Sequence, residues 1–484
     1  MRSPLSFPLS LTKSLNKLNP NLYPLLSITG IATIVLFICS AIRHALFNSN
    51  GWDLGIFDQA IYLISIGRSP FSTFLDFHIL GDHAAFIFYP LALLYKIYPD
   101  VHWLFGVQSL LLATGTLPTW CLSRQAGLTE KQSLTMAIAY ILYPLVFNIN
   151  LFDFHPDVLV LPGILWAVFA ARSNQIWWFC GVIALILSCK GALALTVAGL
   201  GFWLLVFEKK KLAGTIALTS GIIWFLVATK GIIPYFGTEA ASLDRHLNRY
   251  VHLGKDFAEI TQNLVTNPGL LLGSIFSIAN LGYLILVLAP FAWGISLQYL
   301  VPLTAAIPAL AINLLTTYQA QKDLVHQYSL PILPFVILSV ISAFAAGKTW
   351  IKKERWIILW SIVAFAALAK YGYFWSIYLR NLDTLQETRA AIALVAPAGS
   401  ILTNSEISPH LSHREVIRMG DNENINFTVY DHILLNVRYS SYSSPPEIAR
   451  KLVKKIRETP GYKLVYRQNR VFLFQKEAIK NGKI

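Results

Sequence analysis

Runs of apolar residues long enough, or nearly long enough, to cross a bilayer recur along this chain, and nothing else in the sequence restricts its fold as much. They lie at about 23–42, 103–122, 133–149, 158–171, 176–189, 191–207, 213–230, 272–291, 296–315, 330–346 and 356–378. A straight helical crossing needs roughly 20 apolar residues, so several runs are short and their ends are approximate. Inside hydrocarbon every backbone N–H and C=O must be satisfied by the protein itself, and runs of this length do that as helices. Composition agrees with a membrane chain: 55% of the 484 residues are hydrophobic and 13% are charged, against roughly 25% charged in soluble domains. An ordinary cytosolic enzyme is excluded.

The basic residues give the orientation. Lys and Arg outnumber Asp and Glu by 39 to 25, and they cluster in short loops between apolar runs and in the tail. That distribution orients a membrane protein and is no nucleic-acid footprint. Placing Lys209, Lys210 and Lys211 in the cytoplasm puts Arg124 with Lys131, Arg172, and Lys348 with Lys352, Lys353 and Arg355 inside too. It also leaves Arg2, Lys13 and Lys17 inside, ahead of a first run that lacks a small-residue cleavage site and reads as a retained span. The alternation holds if Ala84 to Tyr98, with Pro90 inside it, is re-entrant or interfacial. The expected fold is an all-α polytopic membrane protein of about eleven spans.

Residues 1–22 are then cytoplasmic and 23–378 form the transmembrane domain, with external loops at about 43–102, 150–157, 231–271 and 316–329. After Tyr378 the composition changes: residues 380–484 hold 16 basic and 10 acidic side chains. This marks 379–484 as a soluble α/β domain, placed outside by the parity of the spans. Its pattern predicts helices at Leu385 to Val395 and Pro446 to Glu458. Strand-like pieces lie at Ser400 to Thr403, His432 to Val437, Lys463 to Tyr466 and Val471 to Phe474. Cys39, Cys121, Cys180 and Cys189 fall in apolar runs with no C-x-x-C spacing, so neither a disulfide framework nor a zinc site follows.

The chemistry-bearing residues gather in the external loops. The first carries Asp53, Asp58 and Gln59, then Asp76, His78, Asp82 and His83. Carboxylates just outside a bilayer suit proton abstraction or metal binding at the lipid surface, although Asp53 also fits as a helix cap. The second is short and dense: Asp153, Phe154, His155, Pro156, Asp157. An idle ionisable group is costly at a membrane edge, and D-x-H-x-D offers oxygen and nitrogen donors to a divalent cation such as Mg or Mn. Asp157 serves equally as a cap, and Asp153 and His155 could pair with each other. Lys190 interrupts an apolar stretch where it could meet a lipid-linked phosphate or simply snorkel. His326 and Tyr328 end another external loop. Asp244, Arg245, His246, Arg249, His252 and Lys255 suit anionic headgroups, although a solvated basic connector is the favoured reading.

The string Trp52-Asp53-Leu-Gly-Ile-Phe-Asp58-Gln59, taken with Leu151-Phe-Asp153-Phe-His155-Pro-Asp157, Lys190, His326-Gln-Tyr328 and Pro409-His410-Leu-Ser-His413-Arg414, resembles the bacterial membrane proteins grouped as domain of unknown function 2079. That group looks like a distant branch of the fold-C glycosyltransferases, which include the lipid A aminoarabinose transferases and protein O-mannosyltransferases. The resemblance implies a polyprenyl-phosphate sugar as donor, an unidentified acceptor and a site among membrane lipids. It places the catalytic acid at Asp53 or Asp58 and a further acid at Asp153 or Asp157. Lys190-Gly191 looks like the lysine-glycine pair that ends a span in the aminoarabinose branch. The chain departs from the group where Gly191-Ala192 stand in place of Glu-Asp.

The expected function is an inverting membrane glycosyltransferase, with Asp53 or Asp58 catalytic and Lys190, His326, Tyr328, His78 and His83 binding substrate. Asp153, His155 and Asp157 are the candidate cation ligands. A transporter or lipid-handling protein is the rival, and it would concentrate ionisable groups near the midplane. A catalytically silent scaffold of the same fold is the third reading.

Overall fold

The computed structural model of the chain describes residues 22–238, 247–439 and 445–477. The N-terminal Arg2, Lys13 and Lys17, and Asp244, Arg245 and His246 of the third expected external loop, lie outside the described residues.

The first apolar run forms one helix, Tyr23–Ala45, with Pro24 in its first turn, where a missing N–H leaves no bond unmade. Ile31, Ile34, Val35, Ile38 and Ile42 remain exposed along it. An apolar stripe of that length on the outside of a bundle is the face lipid would cover. Other runs are broken. Pro144 opens Pro144–Asn150 at 43° to Glu130–Ile141, and comparable bends separate Pro268–Ile275 from Ile278–Gly294 (51°) and Glu354–Leu368 from Lys370–Leu379 (43°).

Helix length therefore does not carry the expected count of spans. Among the described residues, Tyr23–Ala45 and Lys211–Phe236 are long and apolar enough to cross unbroken, and counting each bent pair as one crossing brings the number to five. Phe88–Ile97, Ile176–Cys189, Leu193–Val206, Val301–Leu315 and Leu333–Ala345 are apolar but have 10–17 residues, about 15–25 Å at 1.5 Å per residue. The cause is local. Pro290 and Pro302 open the 3-10 segments Ala289–Gly294 and Val301–Ala306, and Lys190 takes an extended conformation between two helices. Within the stretch Ala84 to Tyr98 the helix is only the ten residues Phe88–Ile97, too short to span.

The two ends of the bundle differ in chemistry. At one end the basic loops meet: Arg172 pairs with Glu208 at 2.8 Å, Lys210 donates to Asn174 at 2.9 Å, Gln125 reaches Ser173 at 3.2 Å, and Lys131 lies 3.7 Å from Glu354. The acid- and histidine-bearing loops collect at the other end. A small hairpin there pairs β1 (Phe71–Ser72) with β2 (Phe77–His78).

The C-terminal domain folds over that second end. Its sheet contains β3 (Ile401–Thr403), β4 (Ile417–Met419), β5 (His432–Asn436), β6 (Tyr462–Gln468) and β7 (Val471–Lys476), ordered β4-β3-β5-β7-β6. β3 runs parallel to β4 and β5, and the remaining pairs are antiparallel. Central β5 is buried along its whole length because both faces are covered. Ile433 and Leu435 pack with Leu452, Val453 and Ile456 of helix Pro446–Glu458. Leu434, with Ile401 and Leu473, joins the core of the bundle. β4 was not anticipated from sequence: three residues centred on Arg418 carry too little alternation to read as a strand.

Candidate functional site

Loops one and two are tied together by Asn50. Its Oδ1 accepts from the Asp53 N–H at 2.9 Å, capping the turn Gly51–Gly55, while its Nδ2 donates to Asp53 Oδ2 and to Asp153 Oδ2, each at 3.0 Å. Asp153 is clamped from its other side by the guanidinium of Arg43, in the last turn of Tyr23–Ala45, with Nη1 on Oδ1 and Nη2 on Oδ2. Its backbone has φ +85°, a left-handed conformation uncommon outside glycine. Gln108 braces that turn, donating to the Asp153 carbonyl at 2.9 Å and accepting from the His155 N–H at 3.0 Å.

The turn delivers His155 to Asp53, with Nε2 3.3 Å from Oδ1. Phe152 stacks on the imidazole at 5.3 Å and fixes its plane. Burial opposes the charge of Asp53, yet the hydrogen bond and charge of His155, with the Asn50 amide, outweigh it and hold the carboxyl below its ordinary value of 3.8. Burial opposes the His155 charge too, and Asp53 overcomes it, leaving the imidazole raised above 6.5. Each group favours the charged form of the other. Of the four expected acids Asp53 is the accessible one, with a side chain 26% exposed against 1% for Asp58, 0% for Asp153 and 7% for Asp157.

Asp58 does different work. Its oxygens accept from Tyr95 and Ser412 and lie 3.1 Å from His413 Nε2, so it clasps loop one to the C-terminal domain. Burial would lower His413, but the Asp58 charge prevails and raises it. Gln59, donating to the Arg414 and Glu415 carbonyls, and the Thr73–Ile417 hydrogen bonds extend the clasp. His410 stacks on His44 at 3.9 Å, and burial holds it at about 3, neutral under physiological conditions. Gly51 lies against this domain so closely that a Cβ would sit 2.5 Å from Met419 Sδ. The tail motif noted in the sequence is thus the surface on which loop one rests.

Lys190 reaches Asp157 Oδ1 at 3.4 Å, and Asp82 and the Tyr328 phenol act on it electrostatically. His83 contributes its carbonyl, which accepts from the Gly191 N–H at 2.8 Å. A Cβ on Gly191 would meet Ala228 Cβ at 3.0 Å, which explains a small residue there. His326 pairs with Asp323 at 2.7 Å and meets Phe152 edge-on at 4.3 Å, next to the dyad. Tyr328 accepts from Arg249 at 3.2 Å. His78 is apart from this group: it stacks on Phe236 at 4.5 Å and accepts from the Leu80 N–H, anchoring the hairpin.

Protein groups engage each of the three candidate cation ligands, Asp153, His155 and Asp157. Arg43 and Asn50 engage both oxygens of Asp153, Asp53 engages His155 Nε2, and Lys190 stands beside Asp157. Two buried atoms of the set, His155 Nδ1 and Asp157 Oδ2, have no partner. Two donors next to a lysine ammonium do not fit Mg or Mn, which take about six oxygen-rich ligands. Among the described residues no group of three or more His, Cys, Asp or Glu is arranged to hold a metal ion.

Sequence reasoning passed over Arg43, Asn50, Gln108, Asp323 and the role of Arg249. Arg43 carried a signal, being a cation at the end of the first run opposite the basic loops. Gln108 carried another, as an amide within an apolar run.

The fold has solved counterparts. The crystal structure of ArnT from Cupriavidus metallidurans bound to undecaprenyl phosphate superimposes with a TM-score of 0.53 at 12% identity, over 93% of this chain and 97% of that one. The apo state of the same protein gives 0.51 at 11% identity over the same shares. No curated protein matches the sequence. The family model described as predicted membrane protein (DUF2079) matches residues 43–473, and the chain belongs to that family.

Proposed function

We propose that the protein transfers a sugar from a polyprenyl-phosphate donor to an acceptor hydroxyl on the outer side of the cytoplasmic membrane. The observation that carries this reading is the Asp53–His155 pair: one reachable, ionised carboxylate, oriented by a histidine, on the face where Lys190 also lies. Asp53 takes the proton of the acceptor hydroxyl as its oxygen bonds to the anomeric carbon. The bond from that carbon to the phosphate oxygen breaks on the opposite side, so configuration inverts, and the lipid phosphate departs with the electron pair. Lys190 stabilises that charge, and His326 and Tyr328 flank it. The ArnT fold supports a lipid-phosphate donor, since one of its structures contains undecaprenyl phosphate.

The proposal includes about eleven crossings, short helices being extended by their 3-10 and bent continuations, with the N-terminus inside and the C-terminal domain outside. The meeting of the basic loops at one end, and of the C-terminal domain with loop one at the other, supports this orientation. A reporter active only in the cytoplasm, fused after residue 484, is expected to be silent; a strong signal reverses the assignment of both ends.

Binding and chemistry are separated by two measurements. Purified protein should bind undecaprenyl phosphate, with Lys190→Met weakening binding about tenfold or more, and should consume a polyprenyl-phosphate sugar when given hydroxyl acceptors. Binding without turnover across donors would point to a lipid-handling protein or a silent scaffold.

The pH dependence follows from the dyad. The folded pKa of His155 is raised, so its contribution is complete below 6.5 and is lost as pH rises through the folded value. That of Asp53 is depressed, so its contribution is present above 3.8 and lost as pH falls through the folded value. Transfer rate is expected to decline on the alkaline side through the His155 titration. His155→Gln should remove that limb; an unchanged profile in the variant would detach His155 from the base.

A further inference from the structure

We propose that the end of the bundle opposite loops one and two carries a binding site for an anionic phospholipid, between the segment following Leu333–Ala345 and the first half of helix Glu354–Leu368. An open groove of about 610 Å3 lies there, lined by Trp350, Trp356 and Trp360 and by the exposed Lys352 and Lys353. Its volume falls within the roughly 300–1,000 Å3 of small-molecule sites.

The walls are fixed. The Trp350 indole N–H donates to the Ala292 carbonyl and that of Trp360 to the Ala289 carbonyl at 3.0 Å, and the two rings meet at 5.5 Å and 73°. Trp356 remains 49% exposed, with the Arg355 guanidinium 5.4 Å from its ring centre. The one carboxylate of the segment, Glu354, is turned to Lys131. Among the described residues Lys352, Lys353 and Arg355 have no carboxylate partner. Three cations therefore face outward unneutralised beside indole rings, which favour the headgroup level of a bilayer.

The groove continues as an apolar stripe. Trp356, Leu359, Trp360 and Val363 recur at helical spacing, so they share one face, and Leu359 and Val363 are 46% and 58% exposed. Cations just ahead of the helix and an apolar stripe running along it away from them match the head and tail of one lipid. A soluble anion would use the cations and leave the stripe unused, so the occupant is a phospholipid with a net negative headgroup. This site is independent of sugar transfer.

The test is native mass spectrometry of the delipidated full chain titrated with dioleoylphosphatidylglycerol or dioleoylphosphatidylcholine. Phosphatidylglycerol should bind with clear preference, and the double variant Lys352→Gln, Lys353→Gln should weaken it about tenfold or more, each surface cation being worth about a factor of five. Trp356→Ala should weaken both lipids. The control pair Lys209→Gln, Lys211→Gln, at another basic loop of the same end, should change nothing. Equal binding of the two lipids, an equal loss in the control pair, or competition by glycerol 3-phosphate alone would overturn the proposal.

Discussion

Asp53→Asn is expected to reduce sugar transfer about 10²–10⁴-fold, the range by which a positioned base accelerates proton transfer. Asn keeps the shape of Asp and can still face Asn50 and His155, so the stability loss should stay near the worth of one hydrogen bond to a charged group, about 1.5–3 kcal/mol, short of unfolding. Donor binding should also survive, because Lys190 lies on a different link and pairs with Asp157. The informative comparison is Asp58→Asn. Asp58 is buried beneath Ser412, His413 and Tyr95, so its loss should loosen the C-terminal domain and lower the melting temperature, with any loss of rate following from that loosening. A reversed result, with Asp53→Asn active and Asp58→Asn folded but inert, would move the base to Asp58 and remove the assignment made here.

Sequence reading reached the membrane class and the small C-terminal sheet region because each depends on local pattern. Helix Pro446–Glu458 shows this: its apolar positions repeat at helical spacing, and Pro446 fixes its first turn. The broken helices were harder to see. An apolar run does not reveal that Val301–Ala306 tightens into a 3-10 segment, because lipid accepts either form provided the backbone is bonded. The partners of the Asp153–His155–Asp157 cluster were hidden for a related reason. Spacing placed Asp153, His155 and Asp157 side by side, but the charges that occupy them come from Arg43, 110 residues earlier, from Asp53 and from Lys190. The different surroundings of Asp53 and Asp58 were likewise hidden, since they depend on which carboxylate the folded tail covers.

The largest structural effect is expected from Arg43→Met. Arg43 and Asp153 are both buried, and the guanidinium holds the two carboxylate oxygens in its planar fork. Removing one partner of a buried pair leaves the other charge uncompensated, at a cost of about 3–5 kcal/mol. Against a total stability on the order of 5–15 kcal/mol, that should appear as a large fall in the melting temperature of the detergent-solubilised protein. Arg43→Lys should rescue little, because an ammonium cannot bridge both oxygens. The double variant Arg43→Met, Asp153→Leu removes both charges and should recover much of the stability, since an apolar pair of similar volume replaces a buried ion pair at little cost. It should not recover transfer. Asp153 also receives the Asn50 amide that orients Asp53, and without it the dyad loses the link between loops one and two. A stable but inactive double variant is therefore the expected outcome, whereas a stable and active one would show that Asp53 is positioned by other contacts.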